Sequence, residues 1–235
     1  MTIQKTAAPL REQIVEAIRR EIINGSFRPG MRLKEKDLVE KFGVSRTVIR
    51  EALRQMESER LVRIEPNVGP IVERLTVEVA NELYEVREAL ESTIMGLAAR
   101  RRDSTDIEAM KTLMTELQAS LQADVEDITA IKDRFYALLV SISRNHTIGE
   151  MLANVQTRIS QLRRLTLSSP GRGERMLQEI QAMVDAVVDG DEDRAVERAR
   201  AHVHIARDIA LAHLRGTTPE DLSGIEYQEA EGTPL

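Results

Sequence analysis

Residues 42–57 read FGVSRTVIREALRQME and place arginines at 46, 50 and 54. An i, i+4, i+8 series stacks along one face of an α-helix. Val48, Ile49, Ala52, Leu53 and Met56 fall on the opposite side, the spacing of an amphipathic helix. Ser45 stands where its hydroxyl can cap that helix. Arg46 and Thr47 then occupy the first turn, where the helix dipole is positive and a cation is disfavoured. An anionic partner in front of the helix offsets that penalty, and DNA is the obvious one. A solvated charged face is the other reading of an arginine stripe taken alone, so the flanking sequence has to decide.

Upstream, Leu10, Ile14, Ile18 and Ile22 step by four and predict a first helix from about Pro9 to Ile23, stopped at Asn24-Gly25. FRPGMRL follows as a turn and a short extended piece. A second helix is expected from about Lys34 to Phe42, with Leu38 and Phe42 inward, broken by Gly43. Two helices joined through Gly-Val-Ser form a helix-turn-helix. Downstream, VRIE alternates, PNVGP turns and IVERL alternates again, which predicts a β-hairpin wing with a glycine near its tip.

Charge separates along the chain. Residues 1–75 hold 15 Lys+Arg and 11 Asp+Glu, a net +4, and the remainder holds 18 and 28, a net −10. A basic module on an acidic body is a DNA-binding pattern, although the whole chain is at −6. Cysteine is absent, which excludes disulfides and thiolate metal sites. No apolar run is long enough for a signal peptide or a membrane span, so a soluble cytoplasmic protein with no membrane partner is expected.

From Thr76 to Arg215 there is one proline, Pro170, and apolar residues recur at helical spacing. Val79, Leu83, Val86, Leu90, Ile94 and Leu97 form an expected stripe on a helix over roughly 77–102. Further helices are expected near 105–122, 125–143, 147–167, 173–189 and 191–214. Short connections between them imply an antiparallel bundle. The expected fold class is mostly α: a winged helix-turn-helix with a small hairpin (1–75), then an all-α antiparallel bundle (76–215). Residues 216–235, acidic and rich in Gly and Pro, are expected to be a disordered tail.

Residues 10–74 resemble the winged helix-turn-helix of GntR-family bacterial transcription regulators. NGSFRPGMRL, GVSRTVIREAL and LVRIEPNVGPIV carry the likeness. Arg60 stands where that family usually has glycine, Val68 where a basic residue is common, and Lys34 where serine is common. The resemblance implies that Arg46, Thr47 and Arg50 reach base edges in the major groove, where an arginine fork fits guanine O6 and N7. Lys36 and Ser45 would hold phosphates or the groove edge, and Asn67 and Gly69 would bring the wing to the backbone.

The body resembles the FCD effector-binding domain of the FadR subgroup, through LYEVREALES, GLAARR, FYALLVSISRN and EIQAMVDAVVDGDEDRAVERARAH. Members sense small organic acids or related metabolites, and many hold a divalent metal through an aspartate and three histidines. Here those positions read Lys132, Tyr136, Ile180 and His202. One histidine beside a lysine and an isoleucine is not a metal site, so no metal and no cofactor are expected. Arg87, at the edge of the apolar stripe, either snorkels to solvent or meets a ligand carboxylate, the role the resemblance implies. Arg87, Lys132, Tyr136, Ile180 and His202 are the expected effector positions, with Lys132 supplying a fixed charge to an acidic ligand in the metal's place. The expectation is a homodimeric, metabolite-controlled regulator, a repressor, on an inverted-repeat operator in double-stranded DNA. The alternatives are an architectural DNA-binding protein without an effector and, more remotely, an all-α enzyme.

Overall fold

The computed structural model of the chain describes residues 10–120, 125–167 and 169–216. The expected tail, apart from Gly216, lies outside the described residues, as do residues 121–122 of the helix expected near 105–122. Contacts divide the chain into two compact units, residues up to 76 together with 150–164, and residues 77–149 together with those from 165 onward.

In the first unit the helices are α1 (Leu10–Ile23), α2 (Glu35–Phe42) and α3 (Arg46–Ser58), followed by strands β1 (Val62–Glu65) and β2 (Gly69–Val72). Ile14, Val15, Ile18 and Ile22 of α1 meet Ile49, Ala52, Leu53 and Met56 of α3 in one apolar core, closed by Leu33, Leu38, Leu61, Val62 and Val72. Leu10, expected to join that stripe, is half exposed at the open end of α1. The strands pair antiparallel with Val62 opposite Val72 and Glu65 opposite Gly69. The extended piece at 31–33 joins their edge, because Val72 N–H donates to Met31 O at 2.9 Å and Leu33 N–H to Pro70 O at 2.8 Å. This third rung ties α2 to the hairpin.

The second unit is all helical: α4 (Val77–Arg101), α5 (Ser104–Ala119), α6 (Val125–Ser143), α8 (Arg172–Asp189) and α9 (Glu192–Leu214), with the ends of α7 (His146–Leu167). α4 is its central helix and packs on α6, α8 and α9. Asp103 caps α5 through a reciprocal box with Asp106. Gly190, at φ 76°, ends α8, and Asp191 caps α9 by accepting from Arg194 N–H at 3.0 Å.

The apolar stripe expected on α4 is turned from its sequence reading. Val86 is 49% exposed and Leu90 half-buried, while Arg87 and Glu91 are buried beside Leu83, Tyr84, Ile94 and Ala98. Three neighbouring helices surround α4, so an apolar period did not identify its inner face; the polar pair lies there instead.

α3 ends in a Schellman motif. Leu61 N–H donates to Met56 O at 3.0 Å and Arg60 N–H to Glu57 O at 3.0 Å, which puts Arg60 at φ 57°. A Cβ is penalised in that left-handed conformation, and this is the position where the resembling family carries glycine. Replacing Arg60 by Gly should therefore stabilise the protein by about 0.5–1 kcal/mol and raise its melting temperature. An unchanged or lower melting temperature by calorimetry would show that the arginine side chain compensates for its backbone.

Candidate nucleic-acid interface and buried polar centre

The first turn of α3 projects from the N-terminal core. Ser45 caps it, its hydroxyl accepting from Val48 N–H at 3.3 Å, and no acidic residue occupies that turn. Arg46, Thr47, Arg50 and Arg54 are all exposed, as is Lys36 on α2. Arg50 is not loose. Its Nε–H donates to both oxygens of Glu35, at 2.8 and 3.0 Å, and Arg46 Nε lies 3.8 Å from the same carboxylate. The hydrogen bond that Arg50 donates to Glu35 raises the Arg50 pKa above the usual arginine value. At the hairpin tip Asn67 and Gly69 both have positive φ, 63° and 98°, and Val68 between them is exposed. An added Cβ at Gly69 would meet nothing within 4 Å, so the glycine is required by its backbone angle rather than by a neighbour.

The helical domain holds a connected set of buried polar side chains. Arg87 is 3% exposed, which excludes the snorkelling alternative. It donates Nε–H to Glu91 Oε1 at 2.6 Å and Nη2–H to Tyr136 Oη at 3.1 Å. Tyr136 in turn donates its hydroxyl to Glu91 Oε2 at 2.9 Å. Burial opposes the charge on Glu91, but Arg87 and the Tyr136 hydroxyl hold its carboxyl below the usual range. Beside this triad, Arg172 pairs with both oxygens of Glu179, at 2.6 and 2.8 Å. The His202 Nδ1 lies 2.6 Å from Glu179 Oε2. Burial would raise the Glu179 pKa, yet His202 and Arg172 bring it down to about 2.

His202 is fully enclosed, and burial, with the charges of Lys132 and Arg87, lowers its pKa to about 4 against the opposing pull of Glu179. The ring is neutral at pH 7. Facing an ionised carboxylate, Nδ1 carries the proton and donates it, which leaves Nε2 as a lone pair. That Nε2 has no hydrogen-bond partner among the described residues. Lys132 and Ile180 are buried in the same domain.

The side chains at the four metal positions do not fit a divalent cation. Tyr136 is engaged with Arg87 and Glu91, Ile180 has no donor atom, and a lysine ammonium repels a cation. Among the described residues no group of three His, Cys, Asp or Glu could hold a metal. Two of the other three histidines are engaged elsewhere, His204 with Glu88 at 2.6 Å and His213 with Ser169 at 3.1 Å. Glu91, Arg172 and Glu179 were not singled out from sequence. The i, i+4 spacing of Arg87 and Glu91 was a readable signal; Arg172 and Glu179, seven apart, were not distinguishable from a solvated face.

A winged helix-turn-helix with an exposed arginine face, followed by a helical domain with a polar interior, defines a DNA-binding transcription regulator. The comparisons place it further. Residues 10–72 match the bacterial regulatory proteins of the gntR family, and residues 82–205 match the FCD domain. The chain belongs to the gntR family and carries an FCD domain, an architecture consistent with the FadR subgroup. It is 29% identical over 196 residues to the HTH-type transcriptional regulator YdhC of Bacillus subtilis, covering 83% of this chain and 88% of that protein. It is 26% identical to the HTH-type transcriptional repressor RspR of Escherichia coli K12, covering 81% and 84%. The solved structure of E. coli McbR/YncC superposes with a TM-score of 0.74 at 21% identity, over 89% of this chain and 99% of that one, and shows the same fold. No described helix is long and apolar enough to cross a membrane.

The buried His202 has a consequence for stability. Its folded pKa of about 4 lies below the ordinary 6.5, so the unfolded chain takes up a proton that the folded one refuses. Stability should be full above pH 6.5 and fall with decreasing pH until about 4. The loss between pH 7 and pH 5 is about 2 kcal/mol from this residue. Urea unfolding of wild type and His202→Gln at the two pH values should show the smaller loss in the variant. Equal losses would mean that His202 is not held neutral.

Proposed function

We propose that the protein is a homodimeric, cytoplasmic repressor that releases an inverted-repeat operator when a small carboxylate enters the helical domain. The observation that carries the ligand half is the enclosed His202 Nε2 lone pair, without a partner among the described residues, next to Arg87 and Lys132. A buried acceptor left unmet is unfavourable by about 1–3 kcal/mol, and a ligand hydroxyl or amine would satisfy it. Lys132 is buried and its charge acts on His202, so it is proposed as the anchor for the ligand carboxylate, with Arg87, Tyr136, Ile180 and His202 as the other ligand-facing positions. A bound anion would shift the population of conformations competent for DNA.

In the DNA-binding unit, Arg46, Thr47 and Arg50 are proposed to read bases, while Lys36, Ser45, Asn67 and Gly69 meet the backbone. The name of RspR as a repressor supports the sign of regulation. The test is selection of duplexes from a random pool, followed by release with a panel of small mono- and dicarboxylates. An inverted repeat should emerge, Arg50→Ala should lose preference at one position per half-site by roughly tenfold or more, and Lys132→Met should weaken carboxylate release roughly tenfold with ligand-free DNA affinity kept. A panel in which no carboxylate shifts either DNA affinity or melting temperature would leave the architectural reading standing.

A further inference from the structure

Among the exposed arginines of α3, Arg50 is tied down by a carboxylate, and that carboxylate sits on the face assigned to DNA. Glu35 is the first residue of α2, and the Lys34 before it offers no side-chain cap. The Glu35 carboxylate therefore sits at the positive end of the α2 dipole, a favourable place for an anion. From there it reaches across the turn to Arg50 at 2.8 and 3.0 Å, with Arg46 at 3.8 Å. Both contacts are to Nε. An arginine has one Nε–H and four Nη–H donors, so the Nη end is left to bind something else. Two adjacent Nη–H groups match the O6 and N7 acceptors of guanine in the major groove.

An acidic side chain is otherwise misplaced here. Phosphates repel it, and it offsets one of the two arginine charges that would draw the helix to any DNA. That penalty is the same on every sequence, whereas the orientation it imposes helps only where a guanine is in reach. We propose that Glu35 is a positioning residue for sequence selection: it fixes the Arg50 fork for a base edge and lowers attraction to phosphate alone. This rests on the reading of α3 as the recognition helix.

The experiment uses full-length protein and two duplexes, one selected by wild type from a random pool and one scrambled, each titrated over a range of salt. Glu35→Gln keeps the size and removes the charge. It should bind scrambled DNA more tightly, with a salt dependence steeper by up to about one unit in log K against log salt, and the selected-to-scrambled ratio should fall roughly tenfold or more. Glu35→Asp keeps the charge but is one methylene short of Arg50. It should lose the ratio without the steeper salt dependence. A merely structural role would lower both affinities together with the melting temperature, and that result overturns the proposal. A ratio within about twofold of wild type in either variant overturns it too. A wild-type protein that selects no sequence would remove the recognition-helix reading and the role of Glu35 together, whereas an unchanged ratio on a well-selected sequence removes only the latter.

Discussion

The Arg87–Glu91 ion pair, buried on the central helix α4, is the constraint around which the helical domain is built. Two opposite charges one helical turn apart are buried on α4, and Tyr136 from α6 bonds to both. Taking such charges out of water is unfavourable by several kcal/mol per ion, and the pair recovers it only with close geometry and its remaining hydrogen bonds met. The inner face of α4 is therefore fixed to one rotation and α6 to one register. The second cluster, Arg172, Glu179 and His202, links α8 to α9 by the same means. An apolar core would stabilise the same bundle with fewer constraints. A polar interior whose imidazole Nε2 has no partner among the described residues fits the ligand seat proposed above.

The DNA-binding unit is governed by a different balance. Its core is apolar and continuous across α1, α3 and the hairpin, so its charges are free to serve the surface. Arg46 and Arg50 stand near a helix N-terminus whose first turn holds no acidic residue, and Glu35 on the neighbouring helix supplies the counter-charge. The net charge of −6 hides this arrangement, because the positive surplus lies in the first third of the chain.

Much of the architecture was legible in the sequence where a local rule acts alone. Gly43 ended α2 and Ser45 capped α3 as expected, and the VRIE–PNVGP–IVERL pattern formed the hairpin, its second strand limited to Gly69–Val72. The reading weakened where tertiary packing decides. Val86 and Leu90 looked like core by spacing, yet Arg87 and Glu91 take the inner face, since a helix surrounded by three others has no single wet side. Glu35 was invisible because nothing local distinguishes it from an ordinary first-turn acid. Its link to Arg50 spans fifteen residues and depends on the angle of the helix-turn-helix. The His202 environment was equally hidden, because its carboxylate partner lies on another helix.

The central claim is that the polar interior is a ligand seat and not a device for stability. The direct measurement is the double variant Arg87→Met, Glu91→Leu, examined by urea unfolding and by carboxylate-dependent release of DNA. Arg87→Met alone strands a buried carboxylate and should lower stability by about 3–5 kcal/mol, whereas the apolar pair should return it to within about 1–2 kcal/mol of wild type or above. The account predicts that this stable double variant still binds DNA and no longer responds to a carboxylate that releases the wild-type protein. A double variant that folds, binds DNA and responds with unchanged ligand affinity would contradict it.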